Sequence, residues 1–259
     1  MSVLTYIENL EKKLRLSEDE KNTIEISINN LKTKIKNWFA DDLIEILVFG
    51  SYKRNTNLCR RADNQSDVDI MIVFKDLGRK PQTYIDRIKR FMETKYKTSE
   101  IYQSNPCAIL ELQHIKFELT PAIWNYDNTY KIPDKASSYF DWMNTQPFYL
   151  DELSKKQTHI QYKQISRLVK YWNCLNRKYF ASYELEKIVL NTTLYCYSRN
   201  LKENLFQVLN SINYDYSMPQ YVRDYIIKTK EILRDIQINE NLYPNYCENK
   251  IKTLFKELD

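Results

Sequence analysis

The stretch SDVDIMIVF, residues 66–74, sets two carboxylates into an otherwise apolar run. Its alternation predicts a strand over 67–74, with Val68, Ile70, Ile72 and Phe74 on one face and Asp67, Asp69, Met71 and Val73 on the other. An Asp-x-Asp on a strand holds both carboxylates on the same side about 6–7 Å apart along the backbone, close enough to converge on shared cations. Left alone, the two would repel and resist desolvation, so the pattern asks for positive charge between them. Hard oxygen donors suit Mg²⁺ or Mn²⁺, and phosphoryl or nucleotidyl transfer often uses two such ions about 3.5–4 Å apart. A lone Asp-x-Asp is also common on exposed strand edges, so its neighbours decide its meaning.

Upstream, VFGSYKRNT (48–56) contains Gly50, one of two glycines in 259 residues; the other is Gly78. It ends LIEILVF (43–49), a run too apolar for a surface strand and expected to be a buried one leading into a tight turn. A glycine there lets backbone N–H groups approach a phosphate with no Cβ in the way, and Ser51 adds a hydroxyl donor with Lys53 and Arg54 close by. A polar loop of about a dozen residues is then expected before the strand at 67. Downstream, 108–112 and 115–119 read as two strands joined at Gln113 and His114 and closed by Thr120 and Pro121. On IKFEL, Ile115, Phe117 and Leu119 would face the core while Lys116 and Glu118 face the other way, which makes Glu118 the candidate third carboxylate. Glu111, on the similarly alternating ILELQ, is the alternative.

Elsewhere the periodicity is helical. A first helix would carry Leu4, Ile7, Leu10 and Leu14; a second starts at the capping box Ser17-x-x-Glu20 and carries Ile24, Ile28, Leu31 and Ile35. A helix around 82–96 has Ile85, Ile88, Phe91 and Met92 as its stripe, and 125–149 reads as a long connection. From about Ser154 the chain turns helical, with Ile165, Leu168, Val169, Trp172 and Leu175 on one stripe, then Leu185, Ile188 and Val189. Trp172 reads as core, and Pro219 suits the first turn of a helix reaching about Ile236. The expected class is α+β: a lobe built on a small mixed sheet, followed by an all-α helical lobe.

Composition narrows the partners. The formal charge of +5 suits a polyanionic ligand but is small for a dedicated RNA binder. Five cysteines (Cys59, Cys107, Cys174, Cys196, Cys247) form neither a CxxC nor a Cys/His cluster, so no zinc site or disulfide framework is expected and a reducing cytosol follows. The N-terminus has no signal-peptide pattern and no segment approaches about 18 apolar residues, so a soluble cytoplasmic protein is expected.

The order strand, Gly-Ser, loop, Asp-x-Asp strand, then an acid on a later strand resembles the polymerase-β superfamily of nucleotidyltransferases. More closely, GSYKRNT, SDVDIMIVF, IKFELTPAI, YKIPDK, RLVKYWN and SYELE are similar, in that order, to the SMODS group of cGAS/DncV-like nucleotidyltransferases (CD-NTases). The resemblance implies a polymerase-β-like catalytic lobe with its N-terminal helices over 1–150, a helical lobe over 151–259 that closes over the nucleotide, and an active site in the cleft between them. It makes Asp67 and Asp69 the first two metal-binding acids and Glu118 the third, where the family usually has Asp; two Mg²⁺ or Mn²⁺ ions are implied. Asn55 likewise replaces a glycine often found before the threonine at 56. Nucleotide binding falls to Gly50, Ser51, Lys170, Ser182 and Tyr183, the last as a stacking platform. Ser182 alone could equally be a helix N-cap.

The implied activity is the joining of NTPs into a cyclic or linear oligonucleotide second messenger that activates an effector in bacterial anti-phage (CBASS) defence. Two alternatives stand beside it. One is a terminal transferase or toxin modifying tRNA, other RNA or protein; the other is a catalytically silent nucleotide-binding partner.

Overall fold

The computed structural model describes residues 2–104, 106–125, 129–134, 136–137, 141–156, 161–192 and 200–258. Two compact units divide the chain: Ser17–Asn57 with Gln65–Tyr149, and Met1–Leu16 with Leu58–Asn64 and Leu150–Asp259. The first 16 residues and 58–64 group with the helical segment that starts at Leu150.

The first unit is built on one sheet of seven strands: β1 (Leu43–Phe49), β2 (Asp67–Phe74), β3 (Glu100–Ser104), β4 (Cys107–Glu111), β5 (Lys116–Trp124), β6 (Tyr130–Pro133) and β7 (Trp142–Thr145). The order is β1-β2-β5-β4-β3, with β6 on β5 and β7 on β6. Among the described residues only β2 and β5 pair in parallel and the other pairs are antiparallel, so the sheet is mixed. The unit also holds α2 (Glu18–Phe39), α3 (Gly50–Arg54) and α4 (Pro81–Lys95).

Local chemistry explains the helix starts. Ser17 and Glu20 form a reciprocal capping box, and Glu18, Asp19 and Glu20 place negative charge in the first turn of α2. Pro81 opens α4, where its missing N–H costs nothing. The expected stripes are buried: Ile24, Ile28, Leu31 and Ile35 on α2, and Ile85, Ile88, Phe91 and Met92 on α4. They cover the Val68/Ile70/Ile72/Phe74 face of β2, where Phe74 lies 5.0 Å from Phe39 and 5.1 Å from Tyr84, ring centre to ring centre. Beyond Asp69 the other face is buried as well, by a cluster of Met71, Val73, Ala122 and Tyr130 with Leu47, Phe49, Ile132 and Phe148.

Several expectations are corrected. β1 is an edge strand, half-buried along most of its length with Ile44 50% exposed, because only β2 pairs with it. Its apolar side chains cover the Met71/Val73 cluster and do not mark a central strand. Thr120 and Pro121 lie inside β5 and do not close it: β4 stops pairing at Leu119 and β6 starts at Ile123, so on that edge the missing proline N–H interrupts no ladder. The polar loop after Gly50 begins as helix α3. Strand β3 has too few apolar residues to stand out, and β6 and β7 lie within what reads as a long connection.

The helical unit contains α1 (Val3–Leu14), α5 (Tyr149–Lys156), α6 (Gln161–Cys174), α7 (Ser182–Asn191), α8 (Leu201–Ser211), α9 (Gln220–Asn239) and α10 (Pro244–Leu254). Pro219 is the N-cap of α9, just before the first turn. On α1, Val3, Ile7, Leu10 and Leu14 are buried while Leu4 is half-buried, and α1 packs on α6, α8 and α10. Residues 58–64 are anchored there: the Cys59 N–H donates to the Leu14 carbonyl at 3.0 Å. Trp172 is core, 1% exposed, stacked on Tyr225 at 5.0 Å, and its Nε1 donates to Thr229 Oγ1 at 3.1 Å. Cys59, Cys107, Cys174 and Cys247 are free thiols; Cys196 and Lys135 of the YKIPDK motif lie outside the described residues. No described helix is long and apolar enough to cross a membrane.

A buried charge ties α1 to α6. Glu11, 1% exposed, accepts from Arg167 Nε at 2.7 Å and from Arg15 Nε at 3.0 Å. Burial alone would raise the Glu11 pKa, but the hydrogen bonds and charges of Arg15 and Arg167 outweigh it and hold the carboxyl below the usual range. A lowered folded-state pKa stabilises the fold above the unfolded glutamate value of about 4.3 and is lost as pH falls through the folded one. Glu11→Gln should therefore cost about 3 kcal/mol at neutral pH, because it removes the buried negative charge that Arg167 and Arg15 share. The gap from wild type should narrow on acidification, as read by urea unfolding across pH.

Candidate active site

The three acids come together through strand register. In the parallel β2–β5 pair, Asp67 stands opposite Lys116 and Asp69 opposite Glu118, so all four side chains share one face. Glu111 is on β4, opposite Lys116 and a strand further from β2. Of the two candidates for the third acid, the geometry therefore favours Glu118, which with Asp67 flanks the Lys116 ammonium.

Gly50 sits against this face. Its φ is +72°, a conformation glycine tolerates and L-residues rarely adopt, and a Cβ built there would lie 1.8 Å from Asp69 Oδ2 and 2.7 Å from its Cγ. The glycine therefore gives the Asp69 carboxylate its room. Gly50 is the first residue of the short helix α3, after which the Ser51 carbonyl accepts from the Thr56 N–H at 3.0 Å. Asn55 caps α3 in the left-handed region at φ 56°, a conformation that asparagine tolerates better than most other residues.

The electrostatics of the face are unbalanced. Asp67 is pushed well above the ordinary carboxylate range, first by burial and then by the Asp69 and Glu118 charges, with Lys116 opposing. The Lys116 Nζ bridges the pair, 3.4 Å from Asp67 Oδ2 and 3.1 Å from Glu118 Oε1. Burial disfavours its charge, yet the two carboxylates outweigh that and push its pKa up. Cys107 Sγ lies 3.6 Å from Glu118 Oε2 and 2.9 Å from the Ser104 carbonyl oxygen, and burial together with the Glu118 charge pushes this thiol up too.

Among the described residues no three acidic, histidine or cysteine side chains are already gathered around a metal position. The donor set nevertheless suits a hard divalent cation: three carboxylates on one face, excess negative charge, and an ammonium resting between two of them. Lys116 is the residue that sequence reasoning missed. The alternation of IKFEL put it on the face of Glu118, and its contact with Asp67 required the parallel register.

The remaining candidates lie in the helical unit. Lys170 is 5% exposed and ion-paired with Glu186, itself 1% exposed, whose Oε2 accepts from the Tyr162 hydroxyl at 2.9 Å. Nothing in the sequence pattern announced Glu186 as a partner, since the pair depends on how α6 meets α7. Ser182 is the first residue of α7, exposed, and the N-cap is Ala181, which corrects the capping reading of Ser182. Tyr183 follows it and is 51% exposed, with its ring open to stacking.

A mixed sheet carrying register-aligned acids beside a Gly-Ser turn, with an all-α unit, is the fold of cGAS/DncV-like nucleotidyltransferases. The chain belongs to the SMODS family: residues 1–157 match the Second Messenger Oligonucleotide or Dinucleotide Synthetase domain. Among solved structures it is similar to Escherichia coli MS115-1 CdnC with ATP, at TM-score 0.73 and 15% identity over 99% of this chain and 98% of that one. It is also similar to apo Vibrio cholerae DncV, at TM-score 0.75 and 10% identity over 95% and 92%. In sequence it is 27% identical over 190 residues to a probable cyclic nucleotide synthase of Bacillus cereus strain VD146, which covers 57% of this chain and 55% of the relative. The chain thus matches about half the length of that curated relative.

Proposed function

We propose that this protein is a metal-dependent nucleotidyltransferase that joins NTPs into a cyclic or linear oligonucleotide messenger. The observation that carries the reading is the β2–β5 register, which sets Asp69 beside Glu118 with Asp67 on the same face and Gly50 against Asp69. Asp67, Asp69 and Glu118 are the groups that would hold two Mg²⁺ or Mn²⁺ ions. Bound there, the ions supply charge neutralisation for the triphosphate and a lowered pKa for the attacking ribose hydroxyl. The hydroxyl oxygen forms a bond to the α-phosphorus as the bond to pyrophosphate breaks, and the hydroxyl proton leaves to solvent or a carboxylate.

In this reading Gly50 keeps the Asp69 carboxylate in place, and the Ser51 hydroxyl donates to a phosphate. Lys170 and Ser182 act as further phosphate contacts and Tyr183 as a base platform. The family's name and the Bacillus cereus relative support an oligonucleotide product. A cytoplasmic signal that activates an effector in bacterial anti-phage defence fits that product. The test is mass spectrometry of the products formed from all four NTPs with Mg²⁺ or Mn²⁺, with and without added RNA or protein. Oligonucleotides made from NTPs alone are expected; label transferred only to RNA or protein would replace this function with a terminal transferase, and no turnover would point to a silent nucleotide binder.

A further inference from the structure

We infer that Lys116 is the resident counter-ion of the acidic face, occupying with its ammonium the position a divalent cation takes and lowering the site's affinity for free metal. The inference rests on the proposed metal-dependent function. Its basis is geometric. Lys116 stands opposite Asp67 in the β2–β5 register and two residues before Glu118, so its Nζ falls between their carboxylates, 3.4 and 3.1 Å away. Its side chain is 10% exposed against 27% for each acid, so this is an internal charge and not a loose surface pair. Backbone pairing holds the base of the chain on both sides, since Lys116 is also opposite Glu111 on β4.

A cation entering between Asp67 and Glu118 meets this ammonium at contact distance. It must displace the ammonium or share the same oxygens with it, and either way binding is weaker than three carboxylates would otherwise give. The same contact offsets repulsion among the acids while no metal is present. Lys116 therefore keeps the empty face intact and disfavours metal that arrives alone.

The experiment compares Mn²⁺ binding, by calorimetry and by electron paramagnetic resonance of free Mn²⁺, in wild type, Lys116→Met and Lys116→Arg without nucleotide. Lys116→Met is expected to bind Mn²⁺ about tenfold more tightly, the scale of removing a unit charge a few ångströms from the ion, and Lys116→Arg to match wild type. In thermal melts, Lys116→Met should lose stability without metal and recover more of it with Mn²⁺ than wild type does. Equal or weaker binding by Lys116→Met would overturn the inference while leaving the metal reading in place. Binding absent from both wild type and Lys116→Met would overturn both. If Lys116→Met does not fold, Lys116→Gln is read in the same way.

Discussion

Gly50→Ala is expected to lower turnover about 10³-fold while the protein remains folded. Two effects of the added methyl act together. The residue must hold a positive φ that costs an L-residue roughly 1–2 kcal/mol, and its Cβ would lie 1.8 Å from Asp69 Oδ2, so the carboxylate has to move. A displacement of about 1 Å in a reacting constellation can cost 10²-fold by itself. Gly78 provides the control: its φ is +63°, but a Cβ there meets nothing within 4 Å. Gly78→Ala should therefore cost stability on the same scale and leave turnover unchanged. Steady-state rates with NTPs, paired with thermal melts of both variants, check this; full activity in Gly50→Ala would remove Asp69 from the chemistry.

Asp69→Asn should reduce turnover about 10⁴-fold, since it keeps the shape of the side chain and removes a charge that would hold metal. Its effect on stability should run the other way. Asp67 is pushed up by burial and then by the charge of Asp69, so neutralising Asp69 relieves repulsion at the same face. A melting temperature equal to or above that of wild type, together with near-complete loss of turnover, is the expected signature of an acid kept for function at the expense of stability. Loss of folding in Asp69→Asn would instead make the carboxylate structural.

The parts of this arrangement that were legible in the sequence were those carried by local pattern. The alternation of SDVDIMIVF located β2 to the residue and assigned its two faces, because both are fixed by the two-residue period. The capping box at Ser17 and Glu20 did the same for the start of α2. What the sequence hid depended on pairing. The apolar run at 43–49 read as a buried strand, but burial depends on how many neighbours a strand has, and β1 has one. Pro121 read as a stop because a proline breaks a ladder on a paired edge, and the gap between the β4 and β6 pairings is not visible in the residues. The scarcity of glycine singled out Gly50, but its close approach to Asp69 was not legible, because it depends on how β1 pairs with β2. Alternation put Lys116 on the face of Glu118, but its contact with Asp67 was hidden for the same reason, since it exists only in the parallel register.

The proposed metal centre of Asp67, Asp69 and Glu118 can be examined in a crystal grown with Mn²⁺ and a non-hydrolysable NTP and measured for anomalous scattering. Anomalous peaks are expected at coordination distance, roughly 2.0–2.2 Å, from oxygens of all three carboxylates, with the Lys116 ammonium moved off Asp67 or Glu118. Nucleotide bound with no anomalous peak at these acids, and Lys116 still bridging them, would contradict it.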